Sequence, residues 1–242
     1  MRDRLRKCTV ASVLLALCCA SASYAQNSPA AIPDTLEQRL KPCTECHSLE
    51  GRNGTDGYYP RIAGKPEGYL FNQLVAFRDG GRHYLPMRYL LSGMPDRYLH
   101  EIAAFFAGQK AAYVPPGPVD SSPAVLERGK TLALSGDPKM ELPACSACHG
   151  QALMGVAPYV PALIGLPRHY INSELGAWKT GTRTALAPDC MAELIHRLSD
   201  SDANAVAAWL ASQAVPAGGS AAARADARPP LVCGSIAKAG GT

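Results

Sequence analysis

Two runs in the sequence, Cys43-Thr-Glu-Cys46-His47 and Cys145-Ser-Ala-Cys148-His149, set two thiols three residues apart with an imidazole directly after the second. This spacing suits covalent attachment of haem: the thiols add to the porphyrin vinyl groups, and the adjacent imidazole becomes an axial ligand of the iron. A zinc site would need a further Cys or His pair near each run, and neither run has one. A thioredoxin-type redox pair follows a strand in a βαβ pattern, whereas the flanks here read as helix and loop. Two covalently attached haem c groups are the expected cofactors.

The elements that must position them are duplicated. Pro60, Ile62, Gly64, Pro66, Tyr69, Leu74, Phe77, Arg78 and Gly80 match Pro161, Leu163, Gly165, Pro167, Tyr170, Leu175, Trp178, Lys179 and Gly181 at a constant offset of 101. The two Cys-x-x-Cys-His runs match at 102, and Ile102 to Phe106 matches Val206 to Leu210 at 104. Repeats of this length indicate a duplicated globular domain. Helical spacing puts Tyr69, Leu70, Gln73, Leu74 and Phe77 on one face of a helix opened by Pro66, and Leu99, Ile102, Ala103 and Phe106 on one opened by Pro95. Asp34 is expected to cap a short helix running towards Cys43. Leu126 to Leu134, Pro167 to Lys179 and a helix capped by Ser199 with Asp202 are the expected counterparts in the second half. Neither half has a strand pattern, so the fold is mostly α.

An iron held by one imidazole needs a second axial ligand to serve as a six-coordinate electron carrier, and thioether sulfur would raise its potential. The offset of 104 carries Met87 onto Met191, 40 and 42 residues after their histidines, each in a loop before the last helix of its half. The expected iron ligands are therefore His47 with Met87 and His149 with Met191. Met94 falls on Leu198 and reads as packing, and Met154 is too close to His149 to reach the other haem face. His83, His100, His169 and His196 do not repeat. Cys190 directly precedes Met191; a disulfide with Cys233 is the preferred reading, and a thiolate ligand that would lower the potential is the other. Pro60 and Pro161 follow their histidines by 13 and 12 residues, where a prolyl carbonyl can accept the second imidazole N–H. Arg82 and Arg183 can bind haem propionates, or stand as solvated loop charges. Phe77 and Trp178, Phe105 and Trp209, and Tyr69 and Tyr170 are expected to wall the haem pockets.

Residues 1–25 read as a secretory signal, with Arg2, Arg4, Arg6 and Lys7, an apolar core from Val10 to Ala20 and cleavage after Ala25. Removing them takes away three of the nine cysteines and lowers the formal charge from +4 to +1. With no basic stripe or recognition motif, a nucleic-acid partner is excluded. The remaining chain divides into an N-terminal domain at 26–110, a Pro-rich linker at 111–122, a C-terminal domain at 123–215 and an Ala/Gly-rich tail at 216–242.

CTECH and CSACH, PRIAGKPEGYL and PALIGLPRHYI, the following FRDGGR and WKTGTR, and the terminal LHEIAAFF and DANAVAAWL resemble the dihaem class I c-type cytochromes of the cytochrome c4 family. The resemblance covers about Asp34 to Gln213. It implies two tandem class I cytochrome c domains with haem-centred cores, His/Met ligation of both irons and a periplasmic setting. It also implies electron transfer from a cytochrome bc1-type or dehydrogenase donor to a terminal oxidase or other acceptor, with peripheral membrane association allowed and no catalytic residues. Met87 and Met191 match the family's ligand positions, Pro60 and Pro161 its histidine-orienting prolines. The alternatives are the cytochrome subunit of a periplasmic dehydrogenase, or a dihaem enzyme, a peroxidase or thiosulfate dehydrogenase, whose second haem lacks a methionine.

Overall fold

A computed structural model describes residues 33–51, 59–113, 115–223 and 229–237. The signal segment lies outside them, as does part of the tail. The chain forms two units, Met1–Gln38 and Arg39–Thr242. Of the first, residues 33–38 are described, and there the Thr35 hydroxyl accepts the N–H of Gln38 at 3.3 Å as a helix opens. Both Cys-x-x-Cys-His runs lie in the second.

Ten α-helices occur among the described residues: α1 Leu36–His47, α2 Glu67–Asp79, α3 Leu85–Leu91, α4 Asp96–Gly108, α5 Pro123–Leu134, α6 Ser146–His149, α7 Arg168–Lys179, α8 Cys190–Arg197, α9 Asp200–Ser212 and α10 Gly234–Ala237. Pro66, Pro95 and Pro167 stand just before α2, α4 and α7 with ψ between 135° and 155°, so each ring ends the preceding extended segment and costs the helix no hydrogen bond. Ser122 and Ser199 cap α5 and α9 by accepting the N–H of Val125 and Asp202. The carboxylate of Asp202 does not turn back to close a capping box. It takes Arg128 Nε at 2.8 Å and Nη2 at 3.2 Å, tying α9 to α5.

In the first half α2 packs on α3 and α4 around Leu40, Leu70, Ile102, Ala103 and Phe106. In the second half α9 packs on α5 and α7, with α8 on α7, around Leu132, Ile171, Leu175, Val206 and Leu210. The α5–α9 crossing is tight at Gly129, where an added Cβ would lie 2.1 Å from the carbonyl oxygen of Ala205. The halves differ in how they enter the haem motif. In the first, α1 runs unbroken through Pro42 to His47. In the second, α5 stops at Leu134, a 3-10 turn spans Pro138–Met140, and α6 then carries the motif. Arg39, stacked 3.7 Å over Tyr98, and Arg128, paired with Asp202, do the same job of joining the leading and last helices. They precede their first motif cysteine by 4 and 17 residues, which locates the extra chain of the second half.

The linker has no helix among its described residues, yet it is held down. Arg61 donates to the carbonyls of Ala111 at 2.5 Å and Ala112 at 2.9 Å and stacks 4.0 Å over Tyr113. The Tyr113 ring in turn lies against Gly165.

Two glycine substitutions separate packing from helix propensity. Gly129→Ala should lower the stability of the holoprotein by about 1–3 kcal/mol, because the methyl group overlaps the Ala205 backbone. Gly176→Ala, with open space around its Cβ inside α7, should raise it by about 0.5–1 kcal/mol. Denaturant midpoints of the two variants check both signs.

Candidate haem-binding sites

Each motif histidine is aimed by the same contact. His47 Nδ1 lies 2.9 Å from the carbonyl oxygen of Pro60, and His149 Nδ1 lies 2.8 Å from that of Pro161. A carbonyl only accepts, so Nδ1 carries the proton and the lone pair of Nε2 is left free for a metal. Both rings are buried. Burial holds their pKa values below the ordinary range, partly offset by the prolyl carbonyls, which keeps the imidazoles neutral. Cys43, Cys46, Cys145 and Cys148 are in no disulfide. Burial pushes the thiols of Cys43 and Cys145 up to about 11, unlike the depressed pKa of a thioredoxin-type thiolate.

His149, Cys145, Cys148 and Met191 line one cavity of about 210 Å³ whose walls include Leu163, Ile171, Leu175 and Trp178. Its chemistry fits a haem: apolar walls, two thiols and a neutral imidazole on one side of the inventory, a thioether on the other. The Trp178 indole N–H is buried without a partner, as a polar edge of a bound group would require. Met191 and Met87 sit in short helices, α8 and α3, where loops were expected. Asp189 explains the difference for Met191: its carboxylate accepts the N–H of Ala192 at 3.1 Å and of Ala185 at 2.7 Å, closing the preceding loop and starting α8. At Met87, Pro86 sits in the first turn of α3, where its missing N–H costs nothing. Met94 packs on the first core and Met154 is buried, while His83, His100, His169 and His196 are exposed. Tyr69, Tyr170 and Trp178 border the cavity, whereas Phe105 and Trp209 pack against the two cores.

Arg82 and Arg183 are not solvated loop charges. They face each other in an antiparallel bridge that joins the halves, flanked by His83 N–H to Thr182 O at 2.9 Å and Thr184 N–H to Gly81 O at 2.6 Å. Arg82 stacks over Phe77 at 4.3 Å and Arg183 over Trp178 at 3.7 Å, matching pairs at the repeat offset. Both guanidiniums grip one carboxylate: Arg82 Nη2 lies 2.6 Å from Glu174 Oε1, and Arg183 Nη1 pairs with Oε2. Each also donates to Gln73 Oε1, at 3.1 and 3.0 Å. Gln73 is the repeat partner of Glu174, so the symmetry of the junction is broken by one charge. The paired tyrosines register it. Burial and the Glu174 carboxylate push Tyr170 up; at Tyr69 burial acts the same way but Arg183, Lys65 and Arg82 outweigh it and bring the phenol below its ordinary range. Lys65 is buried beside the cavity, 5.8 Å from the Tyr69 ring, and burial lowers its pKa. Sequence reasoning passed over Glu174 and Lys65 and gave Gln73 only a place on a helix face; the Gln-to-Glu change between repeat partners was the available signal.

Two haem-attachment sites with preoriented histidines, on a duplicated helical chain, define a dihaem c-type cytochrome. No protein-family model matches the chain. It is 35% identical over 182 residues to a thiosulfate dehydrogenase electron acceptor of Thiomonas intermedia, covering 75% of this chain and 83% of that one. It is 32% identical over 170 residues to a cytochrome c4 of Pseudomonas aeruginosa, covering 69% and 82%. Among solved structures it matches reduced recombinant cytochrome c4 from Pseudomonas stutzeri with a TM-score of 0.61 at 26% identity, over 73% of this chain and 96% of that one. It also matches the thiosulfate dehydrogenase TsdBA of Marichromatium purpuratum with a TM-score of 0.62 at 30% identity; 70% of this chain is covered, and the match spans 36% of that longer chain. The chain belongs to the cytochrome c4 family of dihaem class I cytochromes c. It carries two covalently attached haem c groups, and it is an electron carrier.

Glu174→Gln would restore the symmetry of the junction but leave the buried Arg183 and the largely buried Arg82 without their shared countercharge. We expect a loss of about 3 kcal/mol in holoprotein stability. Asp200→Asn, which removes an exposed partner of Lys179, should leave the unfolding midpoint where it is.

Proposed function

We propose that the protein is a periplasmic carrier that takes single electrons from a thiosulfate-oxidising dehydrogenase and passes them towards a terminal oxidase, with His47/Met87 and His149/Met191 as the two iron ligand pairs. The observation that carries the donor assignment is the similarity, over three-quarters of this chain, to a protein named as a thiosulfate dehydrogenase electron acceptor. When bound, haem iron supplies a reversible one-electron couple. The residues do the rest. Pro60 and Pro161 hold each imidazole in one tautomer, so its Nε2 needs no rearrangement between oxidation states. Trp178, Ile171 and Leu175 keep water from the second site, which favours the less charged, reduced form. Arg82, Arg183 and Lys65 bring more positive charge to the junction than Glu174 cancels, and so suit propionate carboxylates there. Cys190 is engaged with Cys233, so the sulfur that a cysteine-ligated enzymatic haem would require carries no thiolate. Among the described residues no helix is long and apolar enough to cross a membrane.

Oxidised holoprotein mixed with thiosulfate and a catalytic amount of a thiosulfate dehydrogenase should become reduced at both haems, and thiosulfate without the dehydrogenase should leave it oxidised. Failure of the dehydrogenase to reduce it would overturn the donor assignment; reduction by thiosulfate alone would make the protein an enzyme.

A further inference from the structure

Beyond Gln213 the chain carries residues that the first half lacks; Ala222 pairs with the loop after His149, and Cys233 to Ile236 reach the second haem site. The Ala157 N–H donates to Ala222 O at 2.7 Å, and the Ala222 N–H donates to Gly155 O at 3.0 Å. Further on, Cys233 is disulfide-bonded to Cys190, the residue before Met191. The Gly234 N–H donates to Pro188 O at 3.0 Å, and an added Cβ on Gly234 would lie 2.1 Å from the carbonyl oxygen of Ala187. This close approach brings Cys233, Ser235 and Ile236 into the wall of the cavity lined by His149 and Met191. Among the described residues the corresponding helix of the first half has no such cover: Leu85 and Tyr89, on either side of Met87, are 76% and 85% exposed.

We propose that the Cys190–Cys233 disulfide is a redox latch on the second haem site. Closed, it clamps the C-terminal segment over the methionine side; open, it releases the segment and admits small ligands to the iron. The inference rests on Met191 being the ligand of that iron. Opening is a thiol–disulfide exchange: a dithiol's thiolate attacks one sulfur of the bridge and forms a mixed disulfide. Its second thiol then displaces the remaining protein sulfur, so the dithiol leaves as its own disulfide and Cys190 and Cys233 each end with a proton. A short helix and a few backbone hydrogen bonds then hold the segment, and such elements open locally at little cost.

The test uses ferric holoprotein with both haems loaded and imidazole as the probe, following loss of the weak far-red methionine-to-iron band. Met191→Ala, compared with wild type, identifies the share of the band that belongs to the second site. Cys190→Ser/Cys233→Ser should then lose that share to imidazole about tenfold faster than wild type or more, while the first-site share decays at the wild-type rate. Wild-type protein opened with a phosphine reductant and capped with N-ethylmaleimide should behave as the double variant does, and it supplies the comparison if the variant does not load haem. Equal second-site rates in latched and unlatched protein overturn the latch alone. A far-red band left whole in Met191→Ala overturns the ligand assignment beneath it.

Discussion

The hydrogen bond from each motif histidine to a prolyl carbonyl is the contact on which the rest of the structure depends. A metal ligand must present one nitrogen in a fixed direction, and a buried imidazole left unpaired at Nδ1 would rotate or bear an unsatisfied donor. Pro60 and Pro161 solve this with backbone atoms, which no side-chain change removes. Holding those carbonyls in place requires the loop after each motif to return to the start of the next helix. Gly64 and Gly165, both left-handed, together with Pro66 and Pro167, turn the chain into α2 and α7. The helices that follow provide much of the two cores.

Duplication supplied two nearly equivalent sites, and the junction between them is where they cease to be equivalent. Arg82 and Arg183, Tyr69 and Tyr170, Phe77 and Trp178 form a paired set, into which a single carboxylate, Glu174, enters opposite Gln73. In a buried setting one charge is a large perturbation, and it falls on the second half's side. The tryptophan N–H, the Cys190–Cys233 bridge and the tail add further differences, all in the second half. The first half instead leaves Leu85 and Tyr89 exposed on the helix bearing Met87. Two haem environments built from one ancestral plan have thus been driven apart by neighbours of the ligands.

Much of this was legible in the sequence because the chemistry is local. Cysteine spacing and the adjacent histidine are a property of one helical turn, and the 13- and 12-residue intervals to Pro60 and Pro161 lie in the hydrogen-bonded pairs now seen. Helix starts at Pro66, Pro95, Pro167 and Ser199 were readable for the same reason, whereas the helix expected from Leu126 begins three residues earlier, at Pro123 behind the Ser122 cap. What was not legible depends on tertiary packing. Arg82 and Arg183 were read as propionate binders or solvated loop charges, and not as partners of each other, because nothing local announces that two loops 101 residues apart will meet as a bridge. Met87 and Met191 were placed in loops because seven- and eight-residue helices carry too few turns for periodicity to mark them. The short helix expected to run towards Cys43 is longer than that reading, continuing through Pro42 to His47.

The central claim, two haems each held between a histidine and a methionine, is tested most directly by proton NMR of the fully reduced holoprotein. A methionine methyl group bound to ferrous haem lies over the porphyrin ring and is carried far upfield by the ring current. Two separate three-proton upfield resonances per chain, one lost in Met87→Ala and the other in Met191→Ala, are the predicted result. A single such resonance, or two that survive either substitution, would contradict it.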